Sequence, residues 1–305
     1  MSTGQIRGQF TGIYPMLYAF FDQAGQLDRG AMRAQVQGAL AQGVHGIAVG
    51  GLATETNKLS TEERRSLMSW AAEDVAGRVP LSITIAENNV PGQAAMAQLA
   101  ADLGAAWVVL QPPPVRGASE AELIRFYGAV ADQSPLPVGI QNAPDYIGIG
   151  LSNAGFAELR RRHPNISIIK AEGPATYIDA LRQDTSDTFT LFNGRNGMEL
   201  VDSLRAGCHG IIPGVDACDR QVAIYEAFVR GDEVEADRAF ADILPLLLFL
   251  MHSIDHLLCY GRRLTARRLG ICQNGGAVHD RTPAQQPTDF GLEIMNRLSK
   301  DLRSF

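Results

Sequence analysis

The sequence predicts an α/β protein, a closed parallel (β/α)8 barrel with a C-terminal helical extension. Three observations lead there. A short β-rich run followed by a helical stretch recurs eight times over about 230 residues. The runs are continuously apolar, as in strands covered on both faces. The competing architecture is a doubly wound open sheet, which favours a glycine-rich nucleotide turn after its first strand. Gly12-Ile13-Tyr14-Pro15 and the apolar run behind it form no such turn.

The units follow in order. The first pairs a strand over 12–20 with a helix over 28–42, closed by Gly43. The second has a strand at 44–49 and a helix at 60–76. Ser60-Thr61-Glu62-Glu63 opens that helix as a capping box, and Gly77 follows its end. The third joins 81–86 to a helix at 91–103, with Pro91 suited to its first turn and Gly104 beyond it. The fourth joins 106–111 to 119–133, where Ser119 precedes Glu120 and Glu122. The fifth joins 137–142 to 151–163, opened by Ser152 and Asn153. The sixth strand, 166–170, ends at Ala171-Glu172-Gly173-Pro174 and leads to a helix at 175–183. The seventh joins 189–193 to 198–206, with Gly207 past the end, and the eighth joins 210–213 to 219–230. Residues 1–230 therefore form the predicted barrel. Residues 231–305 form an extension packed on it: a helical stretch over 232–270, a polar loop over 273–284 with Gly275-Gly276 and Pro283, and a last helix over 288–303. The extension carries no obvious chemistry, and packing against the barrel or a neighbouring subunit is its expected role.

Composition limits the partners. The 305 residues are 46% apolar and 20% charged, enough for a full core, and the net charge of -6 argues against a nucleic-acid surface. Cys208, Cys218, Cys259 and Cys272 are scattered without zinc-ligand spacing and read as reduced thiols. Residues 1–9 contain no apolar signal core. The longest apolar stretch, 243–251, is interrupted by Pro245 and is too short to span a bilayer, so it reads as a buried helix or an oligomer contact. The expectation is a soluble cytoplasmic protein with no membrane partner.

Lys170 is the residue out of place. It closes the run Asn165-Ile166-Ser167-Ile168-Ile169-Lys170, and an ammonium held among isoleucines is destabilised relative to the neutral amine. A neutral, desolvated lysine attacks carbonyl carbon and forms a Schiff base. Catalytic residues of such barrels stand at the C-terminal strand ends. Reading those ends gives a ring: Gly50-Gly51-Leu52-Ala53-Thr54-Glu55, Glu87-Asn88-Asn89, Gln111, Gln141-Asn142-Ala143-Pro144, Lys170-Ala171-Glu172, Asn193-Gly194-Arg195-Asn196-Gly197 and, at the eighth strand, Ile212 and Pro213-Gly214-Val215-Asp216. The ring has no metal-binding cluster. His252 and His256 stand at i, i+4 but lack the glutamate of a zinc-protease helix and read as a helix-face pair. No Gly-x-Ser-x-Gly elbow is present. A lysine enzyme needing no cofactor or metal and acting on a carbonyl is the simplest reading.

At these residues the chain resembles the dihydrodipicolinate synthase / N-acetylneuraminate lyase family of class I Schiff-base lyases. Gly50-Gly51-Leu52-Ala53-Thr54-Glu55 and Leu59-Ser60-Thr61-Glu62-Glu63-Arg64 resemble the family's Gly-Thr-Thr-Gly-Glu loop and Leu-Ser-x-Glu-Glu-Arg helix start. Gln141-Asn142-Ala143-Pro144 stands where the family has Tyr-Asn-x-Pro, Ile168-Ile169-Lys170 resembles its Schiff-base strand, and Asn193-Gly194 its seventh-strand signature. The departures are specific. Gln141 replaces the proton-shuttling tyrosine. Leu52-Ala53 replaces the threonine pair, and Pro113 and Pro114 the fourth-loop tyrosines. Tyr146 stands for the arginine that grips the aldehyde's carboxylate in dihydrodipicolinate synthases. Asn196-Gly197 stands for the Asp-Glu pair of neuraminate lyases. The branch resembled is that of 2-keto-3-deoxy-pentonate dehydratases of the arabonate type, which share Gln-(Asp/Asn)-Ala-Pro and Lys-x-Glu.

The resemblance implies a 2-oxo acid substrate and a homotetramer built as a dimer of dimers. Catalysis is expected at Lys170, at Glu172, which two residues further on a continuing strand shares its face, and at Gln141, which orients substrate; substrate binding is expected at Gly51, Leu52, Ala53, Asn142, Asn193, Gly194, Asn196 and Ile212, with the backbone N–H groups near Leu52 and Ala53 holding the carboxylate as in the family. Glu55 reads as a loop-fixing residue. A pyruvate-dependent aldolase or dihydrodipicolinate synthase-like enzyme, a deaminase of a cyclic hydroxy-imine acid and a non-catalytic sugar-acid sensor remain as alternatives. An aldolase needs a base for the C4 hydroxyl, and an amide at 141 is none.

Overall fold

Burial on both faces shapes the strands. The computed structural model describes residues 9–114, 117–271 and 278–305. Within them run eight parallel strands: β1 (Gly12–Ile13), β2 (Ile47–Val49), β3 (Leu81–Ile85), β4 (Trp107–Leu110), β5 (Val138–Asn142), β6 (Ile166–Ala171), β7 (Thr190–Asn193) and β8 (Gly210–Ile211). Nearly every strand residue is buried, which accounts for the continuous apolar runs. The strand order is β1-β8-β7-β6-β5-β4-β3-β2. The chain closes the remaining seam: Ala48 N–H donates to Pro15 O at 3.0 Å, Leu17 N–H donates to Ala48 O at 2.9 Å, and Met16 bridges both Ala48 and Gly214. The architecture is a (β/α)8 barrel, as the sequence predicts.

The first strand departs most from expectation. Regular pairing over 12–20 shrinks to Gly12–Ile13 plus the isolated Met16 bridge. Pro15 has no N–H to give a ladder. Gly210 explains why β1 and β8 approach so closely: a Cβ there would stand 2.1 Å from Gly12 O.

The helices begin where side chains cap them. Asp28, Ser60, Asn89, Ser119 and Ser152 each accept a first-turn N–H, and full capping boxes form at Ser60/Glu63 and Ser119/Glu122. A short helix, Pro144–Ile147, intervenes after β5.

Alternation sorts the barrel's two faces. Ile47, Val49, Ile83, Val108, Leu110, Ile140, Ile169 and Leu191 belong to the core between sheet and helices. Ala48, Trp107, Val109, Ile168 and Phe192 belong to the barrel interior, with Tyr14 and Met16. There the Trp107 ring stacks on Phe192 at 5.3 Å and meets Tyr14 edge-on at 5.9 Å. These rings fill the barrel beneath Lys170, whose register partners are Gln141 on β5 and Phe192 on β7.

The extension corrects the sequence reading twice. The stretch over 232–270 is not continuous. Helix Glu233–Leu250 stops, Ser253 caps a new start, and the following helical segment, Ile254–Arg268, leaves at 101° with a π-helical turn at Leu257–Gly261. His252 and His256 therefore flank a break and do not share a helix face; their rings meet at 5.7 Å. The last helix covers Asp289–Leu298. Among the described residues no single helix is long and apolar enough to cross a membrane. Cys208, Cys218 and Cys259 are free, buried thiols, and burial pushes the Cys208 thiol up to about 12. Cys272 and Gly275-Gly276 lie outside the described residues.

Candidate active site

Glu172 organises the site. Strand β6 continues its alternation past Lys170, so Glu172 shares the inward face. Lys170 Nζ donates to Glu172 Oε1 at 2.8 Å, and both side chains are about 95% buried, with relative exposures of 5% and 4%. Gln141 Nε2 donates to the same oxygen at 3.1 Å, and Gln111 Nε2 donates to Gln141 Oε1 at 3.2 Å. Glu172 Oε2 accepts the Arg195 backbone N–H at 3.2 Å. Lys170 closes an isoleucine-rich run, and the structure sets the carboxylate that shares its strand face directly against Nζ. A buried charge is tolerated when it is paired and hydrogen-bonded, and here both partners are.

A cavity opens above this pair. Leu52 and Ala53 form one wall, and Ile212 with Pro213 another. Neither the Leu52 nor the Ala53 backbone N–H donates to any described group, while the neighbouring Thr54 and Glu55 N–H groups close the turn onto Gly51 O and Leu52 O at 3.1 and 2.9 Å. Two adjacent free donors beside a lysine are suited to a carboxylate. Met251, Ile254 and Leu257 bring a third, apolar wall from the extension, which therefore has a part in the site that its sequence did not reveal.

Loop Gly194 to Gly197 carries unusual backbone. Arg195 and Asn196 both sit at φ 51°, a region costly for residues with a Cβ. Surrounding bonds hold them there. Asn196 Nδ2 donates to the buried Asp216 Oδ1 at 3.3 Å, Gly214 N–H donates to Asn196 Oδ1 at 2.7 Å, and Gln221 Nε2 donates to Asn196 O at 2.8 Å. Tyr18 O–H donates to Asp216 Oδ2 at 2.6 Å. Burial raises the Asp216 carboxyl above its ordinary range, opposed by these donors.

The predicted residues separate by strand parity. Lys170, Glu172, Leu52, Ala53, Asn196 and Ile212 line the cavity. Gln141 stands behind Glu172, and Gly51 lies under the loop with its N–H on Met16 Sδ at 3.3 Å. Gly194 abuts the Glu172 carboxylate. Asn142 and Asn193 are not brought to the cavity. They follow Gln141 and Phe192 by one residue, so they point to the opposite face. Asn142 Nδ2 donates to Leu151 O and Tyr177 Oη at 3.1 and 2.8 Å. Asn193 Nδ2 donates to Gly173 O and Ser203 Oγ at 2.9 and 3.0 Å. Both fasten loops. Glu55 is also structural, paired with Lys58 at 2.7 Å and with Arg262.

Arg195 is the residue missed. It lines the cavity, pairs with Glu199 at 3.0 Å and sets its charge near the Tyr146 phenol. Burial raises that phenol above its ordinary value, and the charge of Glu172 adds to the rise. A cation thus stands beside position 146 although 146 itself is tyrosine. The visible signal was an arginine inside a strand-end loop. Among the described residues no group of His, Cys, Asp and Glu is arranged to hold a metal.

Known proteins are similar to this chain in sequence and in fold. The family model described as dihydrodipicolinate synthetase matches residues 9–257. The 4-hydroxy-tetrahydrodipicolinate synthase of Methanosphaerula palustris is 32% identical over 242 residues, covering 78% of this chain and 82% of that protein. The L-2-keto-3-deoxyarabonate dehydratase of Azospirillum brasilense is 29% identical over 279 residues, covering 89% of this chain and 87% of its own. Among solved structures, a prophage protein of the dihydrodipicolinic acid synthase family from E. coli K12, in complex with pyruvate, superposes with a TM-score of 0.85 at 25% identity over 96% of this chain and 99% of that one. The Thermotoga maritima dihydrodipicolinate synthase, at 21% identity over 96% of this chain and 99% of its own and a TM-score of 0.84, shares the fold. By a match over residues 9–257, the chain belongs to the dihydrodipicolinate synthetase family, whose members are lyases.

Proposed function

We propose that this protein is a Schiff-base hydro-lyase that removes water from a five-carbon 2-keto-3-deoxy sugar acid of the arabonate type. The observation that carries the reading is the buried Lys170–Glu172 contact of 2.8 Å, with the amide of Gln141 on the same carboxylate oxygen. Lys170 Nζ attacks C2, and loss of the carbonyl oxygen as water gives an iminium. The cation acidifies C3, and Glu172 takes a C3 proton to leave an enamine. The enamine electrons expel the C4 hydroxyl, which departs with the proton held by Glu172. Water then adds to C2 of the conjugated iminium, directly or after tautomerisation, and breaks the C2–N bond to free Lys170. The Leu52 and Ala53 N–H groups hold the C1 carboxylate.

Two features favour dehydration over aldol cleavage. Gln141 offers no base for the C4 hydroxyl. The cavity is largely apolar, with Met16, Ile212, Met251, Ile254 and Leu257 around few polar groups. Such walls suit an acid with one hydroxyl beyond C4, which Arg195 is placed to meet, and leave a long polyol tail unpaired. Similarity to the Azospirillum dehydratase over 89% of this chain supports the same reading. The proposal extends to a tetramer built as a dimer of dimers.

The test is the intact mass of the protein after sodium borohydride treatment with 2-keto-3-deoxy-L-arabonate, followed by peptide mapping. An adduct on Lys170 that has lost water supports the dehydratase. A pyruvate-sized adduct supports an aldolase. No adduct with this acid or with pyruvate sinks the lysine mechanism.

A further inference from the structure

We infer that Arg262, a residue of the C-terminal extension, is a positioning residue for the loop that receives the substrate carboxylate. The inference rests on the Schiff-base reading of the site but not on which 2-oxo acid is turned over.

Arg262 is 2% exposed and follows directly on the π-helical turn Leu257–Gly261. Its guanidinium fastens three parts of the chain. Nη1 donates to Glu55 Oε2 in the loop after β2 and to Ala19 O at 3.0 Å in the run after β1. Nη2 donates to Asp280 Oδ1, and Arg263 donates to the other oxygen of Asp280. On its far side Glu55 Oε1 accepts Lys58 Nζ at 2.7 Å, and that ammonium also reaches Thr282 O at 3.2 Å. Glu55 is 1% exposed and sits at φ 54°. A left-handed glutamate with a buried carboxylate holds its place only if its partners over-determine it.

What Glu55 fixes is the turn beside the cavity. Its N–H closes on Leu52 O at 2.9 Å, and Thr54 ties the same turn to Leu17 O at 2.7 Å. The free N–H groups of Leu52 and Ala53 belong to this turn. The segment that carries Arg262 also supplies the Ile254 and Leu257 wall. One helical piece thus shapes the apolar side of the cavity and pins the donors on the other side. Donors aimed at a carboxylate lose much of their value when displaced by a fraction of an ångström.

The experiment compares borohydride trapping of pyruvate with that of hydroxyacetone, which offers a similar carbonyl without the carboxylate, in wild type, Arg262→Met, Arg262→Lys and Glu55→Gln. The expected result is a half-saturating pyruvate concentration raised about tenfold or more in Arg262→Met and Glu55→Gln. Hydroxyacetone trapping stays within about twofold of wild type, and Arg262→Lys recovers part of the loss. If Arg262→Met does not fold, Glu55→Gln and Arg262→Lys carry the comparison. A parallel loss for both compounds, or an unchanged pyruvate response, overturns the inference while leaving the Schiff base in place. Absence of any wild-type adduct overturns the Schiff-base reading and this inference with it.

Discussion

A Cβ added to Gly194 would stand 2.5 Å from Glu172 Oε2 and 2.8 Å from Oε1. The glycine therefore sets how far the carboxylate can lean away from Lys170. Gly194→Ala must push Glu172 off its present position or shift the strained Arg195–Asn196 turn. Because a displacement of about 1 Å can cost roughly a hundredfold, Gly194→Ala is expected to lower kcat by one to two orders of magnitude, with the adduct on Lys170 still formed. Wild-type kinetics in this variant would show that the carboxylate position is not limiting.

Glu172→Gln separates binding from proton transfer. The amide keeps the shape and can still meet Gln141 and Lys170, but it cannot accept a C3 proton. Iminium trapping with borohydride should persist, and turnover of the five-carbon acid should fall by about 10²–10⁴-fold, the usual contribution of a positioned acid–base group. Lys170→Ala should abolish trapping itself. If Glu172→Gln dehydrates at the wild-type rate, another group moves the proton.

The fold was legible because its signals are local. Ser60, Ser119 and Ser152 mark helix starts by the hydrogen bonds that they make, and apolar runs mark strands buried on both sides. Lys170 and Glu172 were legible together because two residues of a strand share a face. The same rule, applied to β5 and β7, would have excluded Asn142 and Asn193, each one step from an inward residue. Arg195 stood in the strand-end ring, but its place on the cavity, like that of the extension, was not legible. Arg195 reaches the cavity through a left-handed turn held by Asp216 and Gln221. Met251, Ile254 and Leu257 reach it through a 101° bend, so three ordinary apolar residues became a wall only through tertiary geometry.

Asn142→Ala removes donors to Leu151 O and Tyr177 Oη and an acceptor for Leu151 N–H at 2.9 Å. Leaving such buried groups unpaired costs about 1–3 kcal/mol. Urea unfolding should report that loss, while the half-saturating pyruvate concentration for trapping changes little. A large change in pyruvate affinity at undiminished stability would return Asn142 to the binding site.

Asp74 ties the first two barrel helices, Arg29–Ala41 and Thr61–Val75, through charge. Its carboxylate is 4% exposed, and it takes Arg29 Nη2 at 2.8 Å and Arg33 Nε at 2.9 Å. Burial alone would raise its carboxyl, but the two guanidinium groups outweigh it and hold Asp74 below the ordinary aspartate value. A carboxyl lowered by folding binds fewer protons in the folded state than in the unfolded one, so stability rises with pH between the folded value and the ordinary value of about 3.9. The contribution is present above that window and lost as pH falls through the folded value. Glu63, held low chiefly by Arg281, adds to the same limb. Asp74→Asn should therefore cost about 1–3 kcal/mol at pH 7, and the deficit should shrink on acidification as the wild type loses the same contribution. Urea midpoints measured across the acid range check both halves, and a deficit that stays constant down to the lowest pH would mean that packing, not charge, joins these helices at Asp74.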